Sequence, residues 1–242
     1  MSIQSKLYEE RVAAEAFIRL AAATDDFEMY AHPHAARIAK VADELAKSFH
    51  LAREDRASLR FAALAHDLGE VEMERSYIKR AGPLSDDERL DLKRHPVLGE
   101  QEAARAGADR GAQLLVRWHQ EWWNGNGYPD ALRREQIPLP ARILRVADAY
   151  AALTDRRPYR AALTADEARK HLVGWAGLEF DPRVVTAFLS LGPMDELKSY
   201  ALVQETEGFG AETGEASPAS ESLAPQVNEA PLSFRDDDSL NG

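Results

Sequence analysis

The 242-residue sequence contains no cysteine and no uninterrupted apolar run approaching the ~18 residues that a membrane-spanning helix needs. The absence of cysteine excludes disulfides and thiolate chemistry, so any metal ion must be bound by histidine and carboxylate side chains. The first residues, MSIQSKLYEERVAAEAF, carry charges where a signal peptide has its hydrophobic segment. We therefore expect a cytoplasmic protein with no membrane partner.

The negative charge of the chain is concentrated near its C-terminus. The formal charge is −11, but residues 205–242 contain nine acids and one base, which leaves 32 acids against 29 bases elsewhere. This tail is rich in Glu, Ser, Ala, Pro and Gly, and it has too few large apolar residues to offset the entropy of ordering. We predict that the tail is disordered, and we expect no DNA or RNA partner.

The remainder of the chain has helical periodicity and no competing alternating pattern. Helix starts are indicated by Pro33 and by the capping-box sequences that begin at Ser85 and Thr164, and stops by glycines such as Gly107. Helices are predicted near residues 4–23, 33–49, 54–68, 85–94, 96–106, 109–120, 139–154, 165–174 and 181–191. The predicted fold is all-α, with an N-terminal helical segment at 1–29, one catalytic domain at 30–204 and the acidic tail at 205–242.

Several histidines and acids lie on or beside the apolar faces of different predicted helices. His34 opens the stripe that continues through Ile38 and Val41, while Asp148 shares a face with Leu144. A lone inward histidine is more often a hydrogen-bonded core residue, and a lone inward aspartate usually caps a helix or pairs with arginine. A buried charge nevertheless needs a partner, and several such residues together are explained most economically by one metal site. The candidate set is His34, His66, Asp67, His95, His119 and Asp148.

The segment after His119 is rich in turn-forming residues. Gly125 and Gly127 permit backbone conformations closed to other residues, although a simple helix connector would have the same composition. The adjacent tryptophans before this loop offer flat surfaces for a purine, or they staple the loop to the core. Downstream, Arg157 and Arg160 suit phosphate capture, and a solvated charge cluster is the equal alternative.

Six motifs, spread from about Tyr30 to Phe188, together resemble the HD-GYP family. This family is the branch of the HD metal-dependent phosphohydrolases that hydrolyses the bacterial second messenger cyclic di-GMP. The motifs are His34-Ala-Ala-Arg-Ile, His66-Asp67-Leu-Gly, His95-Pro, His119 followed by Asn124-Gly-Asn-Gly-Tyr-Pro129, Val146-Ala-Asp-Ala-Tyr-Ala-Ala-Leu-Thr154 and Arg157-Pro-Tyr-Arg160.

The resemblance implies an HD-domain helical bundle with an HD-GYP extension and a binuclear centre. His34, His66, Asp67 and Asp148 would hold one divalent ion, and Asp67 would bridge to a second ion held by His95 and His119. Family members use iron or manganese most often. The implied reaction is hydrolysis of cyclic di-GMP to pGpG, or onward to GMP, by a metal-activated hydroxide, with His66 and Asp67 as catalytic residues. The substrate-binding residues implied are Gly127, Tyr128, Pro129, Arg157 and Arg160.

Three positions depart from the family pattern. Gln120 stands where the family has a second consecutive histidine, so the second metal site would have a weaker amide ligand. Glu70 replaces the usual lysine and would repel phosphate. Tyr30 replaces a glutamate that supports a third metal in some members, which favours two metals at most. These departures keep open a weakly active protein that acts as a cyclic di-GMP receptor or interaction module, and an enzyme for another nucleotide. A regulatory partner bound through the Gly-Tyr-Pro loop and a homodimer are further expectations.

Overall fold

A computed structural model of the protein describes residues 15, 17–80, 82–157 and 161–192. The predicted all-α fold is confirmed, because the described residues form helices and loops, and the bridge between Ala176 and Phe180 is an isolated one. The α-helices are α1 at residues 17–27, α2 His34–Ser48, α3 Arg53–Ala65, α4 Leu68–Met73, α5 Asp86–Leu92, α6 His95–Arg105, α7 Arg110–Trp118, α8 Leu139–Thr154, α9 Ala165–Gly174 and α10 Pro182–Ser190. The tail at 205–242 lies outside the described residues, and the domain boundaries stay a prediction.

The helix starts follow the capping signals in the sequence. The Ser85 hydroxyl accepts a hydrogen bond from the backbone N–H of Glu88, whose carboxylate accepts one from the Ser85 N–H. The same capping box begins α9. Helix α2 begins after Pro33, and its first turn is held by Asp25 of α1, which accepts a hydrogen bond from the Ala35 N–H at 3.1 Å. This bond fixes the start of α2, where His34 lies.

A single large core joins most of the helices. Helix α2 packs against α3 and α8, α3 against α7, and α6 against both α4 and α7. Ile38, Leu45, Leu59 and Leu144 are completely buried in this core. Among the described helices, none combines the length and the apolar character that a membrane span requires.

The helix predicted near residues 54–68 is interrupted in the structure. Helix α3 ends at Ala65 and α4 begins at Leu68, so His66 and Asp67 lie at the junction of two helices. Helix α4 then packs tightly on α6: a β-carbon at Gly69 would lie 2.0 Å from the carbonyl oxygen of His95. The change of direction therefore brings the His66-Asp67 pair and the start of α6 together.

Candidate metal centre

The first ligand group, as we call His34, His66 and Asp148, joins three separate elements. Suitable ligand atoms of these residues lie within 4.8 Å of one another, and all three residues are buried. The Nε2 atoms of His34 and His66 each lie 3.9 Å from Oδ1 of Asp148. The start of α2, the end of α3 and the middle of α8 thus converge on one point.

The second ligand group consists of Asp67, His95 and His119. Oδ1 of Asp67 lies 3.5 Å from the Nε2 atoms of both histidines, which are 3.2 Å from each other. The other Asp67 oxygen, Oδ2, lies 2.9 Å from Nε2 of His66. Asp67 therefore connects the two ligand groups through its two oxygens.

Each of the four histidines is oriented by a bond at its Nδ1 atom. A backbone carbonyl or a carboxylate can only accept a hydrogen bond, so Nδ1 is the donor and Nε2 faces the ligand groups. Such bonds typically orient imidazoles that bind metals. The Nδ1 partners are Asp155 Oδ2 at 2.7 Å for His34, the Ala63 carbonyl at 3.0 Å for His66, the Leu92 carbonyl at 2.9 Å for His95 and the Val116 carbonyl at 2.7 Å for His119.

Burial and neighbouring charges shift the pKa values of these groups. Burial alone would lower the pKa of His66, but the charge of Asp67, its hydrogen bond to the ring and the charges of Asp148 and Glu28 together outweigh burial and raise that pKa to about 10. Burial also opposes ionisation of Asp67, yet the charge of His66 and the hydrogen bonds from His119 and His66 together hold the pKa of this carboxyl well below its usual range. Burial lowers the pKa of His95 to about 3 and that of His34 well below its ordinary value. The site thus contains an ion pair and two neutral imidazoles.

The donor set fits divalent metal ions. Imidazole nitrogens and carboxylate oxygens are suitable ligands for iron, manganese and zinc. Nε2 of His34 is fully buried and has no hydrogen-bond partner among the described residues. Because a buried polar atom without a partner is costly, a cation shared with Asp148 and His66 would explain why this nitrogen points inward.

A third group of acids adjoins Asp67. Ligand atoms of Glu28, Asp67 and Glu70 lie within 4.8 Å of one another, and all three residues are buried. Burial raises the pKa of Glu28 to about 7, the charge of Asp67 adds to this effect, and Arg157 opposes it. No motif or spacing in the sequence indicates position 28, so Glu28 could not be predicted as part of the site.

Arg157 contacts the site from the side of Glu28. Its Nη2 donates to the Glu28 carboxylate at 2.5 Å, and its guanidinium lies 4.0 Å from the ring centre of Tyr30. The Tyr30 ring in turn stacks on His34, with ring centres 3.7 Å apart. Arg157 is therefore close to the first ligand group but already paired with an acid, whereas Arg160 lies outside the described residues.

Gln120 is near the centre, but its amide oxygen is engaged by an arginine. Nη1 of Arg145 donates to Oε1 of Gln120 at 2.7 Å, and the same guanidinium pairs with Glu179 at 2.5 Å and with Asp148 at 3.4 Å. This geometry connects Gln120 to the first ligand group through Arg145. Arg145 therefore competes with the direct metal binding that the sequence predicts for Gln120.

The Gly-Tyr-Pro loop, residues Gly127, Tyr128 and Pro129, lies against the second ligand group. The rings of Tyr128 and His95 meet edge to face with their centres 6.0 Å apart, and the bond before Pro129 is cis. A β-carbon at Gly127 would lie 2.2 Å from the backbone nitrogen of Trp122, so only glycine fits here. The loop therefore passes close to the protein backbone at the edge of the site.

Trp122 and Trp123, which precede this loop, contact the segment between α9 and α10. The ring centres of Trp122 and Trp175 lie 6.0 Å apart, and the backbone N–H of Trp123 donates a hydrogen bond to the backbone carbonyl of Glu179 at 3.0 Å. On the other side of the loop, the buried carboxylate of Glu121 accepts hydrogen bonds from the Asp130 and Leu132 N–H groups. Of the two alternatives for the tryptophans, these contacts support packing of the loop against the protein core.

Asp155 is a second residue that the sequence analysis missed as part of the site. It orients His34 and also accepts a hydrogen bond from Arg37. Asp155 lies seven residues after Asp148, but it follows the last residue of α8 in an extended backbone conformation, so helical spacing does not predict its contact with His34. The sequence was instead interpreted as a charged cluster after the helix.

The chain is similar to proteins of one known family over most of its length. The profile of the HD domain family matches residues 17–184. The chain belongs to the HD domain family. The resemblance of its motifs to the HD-GYP branch is confirmed by the curated relatives that match it.

Two of these relatives and one solved structure illustrate the similarity. A cyclic di-GMP phosphodiesterase response regulator of Xanthomonas campestris pv. campestris is 40% identical over 157 residues, which cover 63% of this chain and 41% of that protein. A cyclic di-GMP phosphodiesterase of Vibrio cholerae is 38% identical over 137 residues, covering 54% and 28%. The matched region thus spans less than half of either relative. A cyclic GMP-AMP specific phosphodiesterase structure from V. cholerae shares the fold, with a TM-score of 0.60, 20% identity, and coverage of 76% and 50%.

Proposed function

We propose that the protein is a metal-dependent phosphodiesterase that hydrolyses cyclic di-GMP to pGpG or onward to GMP. The observation that supports this most is the contact of Asp67 with both ligand groups inside one buried site. Two adjoining groups of imidazole and carboxylate ligands suit a pair of metal ions. The names of the two curated relatives suggest the substrate class.

The two ligand groups would hold two divalent ions, iron or manganese, with Asp67 between them. Bound ions of this kind stabilise charge on phosphoryl oxygens and lower the pKa of water. The protein contributes a fixed arrangement, because each histidine is anchored at Nδ1 and cannot rotate without losing that bond. His66 carries the proton that a cation would replace, while His34 and His95 present neutral nitrogens.

The substrate would enter beside the Gly-Tyr-Pro loop. In this proposal Tyr128 and Pro129 shape the entrance, and the ring of Tyr128 excludes water from one side of His95. Arg157 and Arg160 are proposed to contact phosphate. For Arg157, such a contact would require the guanidinium to exchange Glu28 for the substrate.

Metal analysis and a turnover assay on the full chain test this function. The protein would be loaded with manganese or ferrous iron, analysed by mass spectrometry for metal content, and incubated separately with cyclic di-GMP and cyclic GMP-AMP. Asp148→Asn should lose metal and turnover, whereas Asp166→Asn, at an exposed acid in the first turn of α9, serves as the matched control. Bound cyclic di-GMP without turnover in the metal-loaded protein would contradict the enzyme and leave the receptor.

The cytoplasmic location, the homodimer and a regulatory partner on the Gly-Tyr-Pro loop belong to the same proposal. A docking role suits this loop because Asp130, the residue that follows Pro129, accepts hydrogen bonds from Arg117 and Trp118 of α7. These bonds hold the loop in one position. Light scattering during size-exclusion chromatography tests the dimer, and a monomer at all concentrations would contradict it.

A further inference from the structure

The arginines around the ligand groups are already paired with buried acids. Arg37 pairs with Asp155, and Arg157 pairs with Glu28. Arg145 is similarly occupied by Asp148 and Glu179. The substrate of the proposed reaction carries two phosphodiester charges, so a cation that can move to it without leaving an acid unpaired has an energetic advantage.

Lys93 is a cation of this kind at the edge of the site. It directly follows α5 and lies two residues before His95, its side chain is exposed, and no acid pairs with it among the described residues. Its Nζ lies 5.6 Å from the ring centre of Tyr128, the residue whose ring meets His95. The ammonium group therefore stands beside the entrance to the second ligand group.

We propose that Lys93 binds a phosphate of the cyclic dinucleotide and is a substrate-binding residue of this protein. This inference rests on the proposed function and adds to it a residue on a helix end outside the six motifs. A lysine suits the role because its ammonium is a point charge on a flexible stem and can follow a phosphate group. At position 70, by contrast, the side chain near the ligand groups is an acid.

Binding and kinetics on the full, manganese-loaded chain test the role of Lys93. Lys93→Met should weaken the Kd for a phosphorothioate analogue of cyclic di-GMP about five-fold, the scale of an exposed ion pair. The variant should raise KM more than it lowers kcat, and the salt dependence of binding should fall. Lys93→Arg should retain most of the affinity. The matched control is Lys170→Met, at an exposed lysine of α9, which should bind like the wild type.

The outcomes separate this inference from the proposed function. Wild-type turnover with a Kd changed less than two-fold by Lys93→Met would overturn the role of Lys93 and leave the phosphodiesterase intact. If the wild type binds the analogue but shows no turnover, the enzymatic function is overturned. In that case, a five-fold weaker Kd in Lys93→Met but not in Lys170→Met would still support the phosphate contact. An absence of both turnover and binding in the wild type would overturn both.

Discussion

Replacing Gly69 by alanine should destabilise the protein and disturb the second ligand group. The new β-carbon would lie 2.0 Å from the His95 carbonyl oxygen and 2.7 Å from the Gly99 nitrogen. Carbon and oxygen atoms normally approach to about 3.3–3.6 Å, so α4 and α6 must separate by more than about 1 Å. Both obstacles are backbone atoms, which cannot rotate away, so we expect a cost at or above the upper end of overpacking, about 3 kcal/mol.

Thermal and urea denaturation measure this cost. For a protein of this size, about 3 kcal/mol corresponds to a fall in Tm of about 6–12 °C. Metal content should fall as well, because α6 carries His95 and Asp67 precedes α4. The matched control is Gly174→Ala in α9, where a β-carbon would meet no atom within 4 Å. Because Gly174 is the last residue of α9, this control should keep the stability of the wild type or gain less than the about 0.5–1 kcal/mol of a mid-helix replacement. Wild-type stability and metal content in Gly69→Ala would refute the reasoning.

Three further predictions concern side chains around the centre. Asp67→Ala should strip both proposed ions, since its oxygens face both ligand groups, and a full metal content by mass spectrometry would contradict this. Gln120→Ala should leave the metal content unchanged because its oxygen is held by Arg145; a loss of metal would instead support direct ligation. Arg117 holds the pKa of Asp130 below its ordinary value of 3.8, so this carboxylate stabilises the fold above that pH and loses its effect as the pH falls. Asp130→Asn should therefore lower the free energy of unfolding by about 1 kcal/mol at pH 7. In urea denaturation, this difference between the variant and the wild type should shrink as the pH falls below 3.8. A difference that stays constant with pH would contradict the prediction.

The inward faces of the helices could be predicted because helical periodicity is a local property. The spacings of four and seven residues place His34 and Asp148 on apolar stripes, and both residues are buried. The capping boxes at Ser85 and Thr164 could be predicted equally well, since each is contained within four residues. Local patterns thus predicted which side chains turn inward and where two helices begin.

The contacts that complete the site could not be predicted in the same way. The pair between Glu28 and Arg157 joins residues 129 positions apart, and that between His34 and Asp155 joins residues 121 positions apart. Neither pairing has a spacing rule, because it depends on how α1, α2 and the end of α8 pack together. The break after Asp67 was also missed, since the apolar pattern continues through it and the change of direction depends on packing against α6.

Position 70 shows how burial changes the meaning of a substitution. From the sequence, an acid in place of lysine would mainly repel phosphate, but the structure buries Glu70 beside Glu28 and Asp67. At 4.8 Å, the upper limit of these separations, and an effective dielectric of about 20, each like-charge pair costs about 3 kcal/mol or more, and a cation at the same distance gains as much per unit charge. The negative charge therefore acts first on the ligand groups, where it favours binding of divalent ions. Attraction of phosphate is left to a cation nearer the solvent, which is the position that Lys93 occupies.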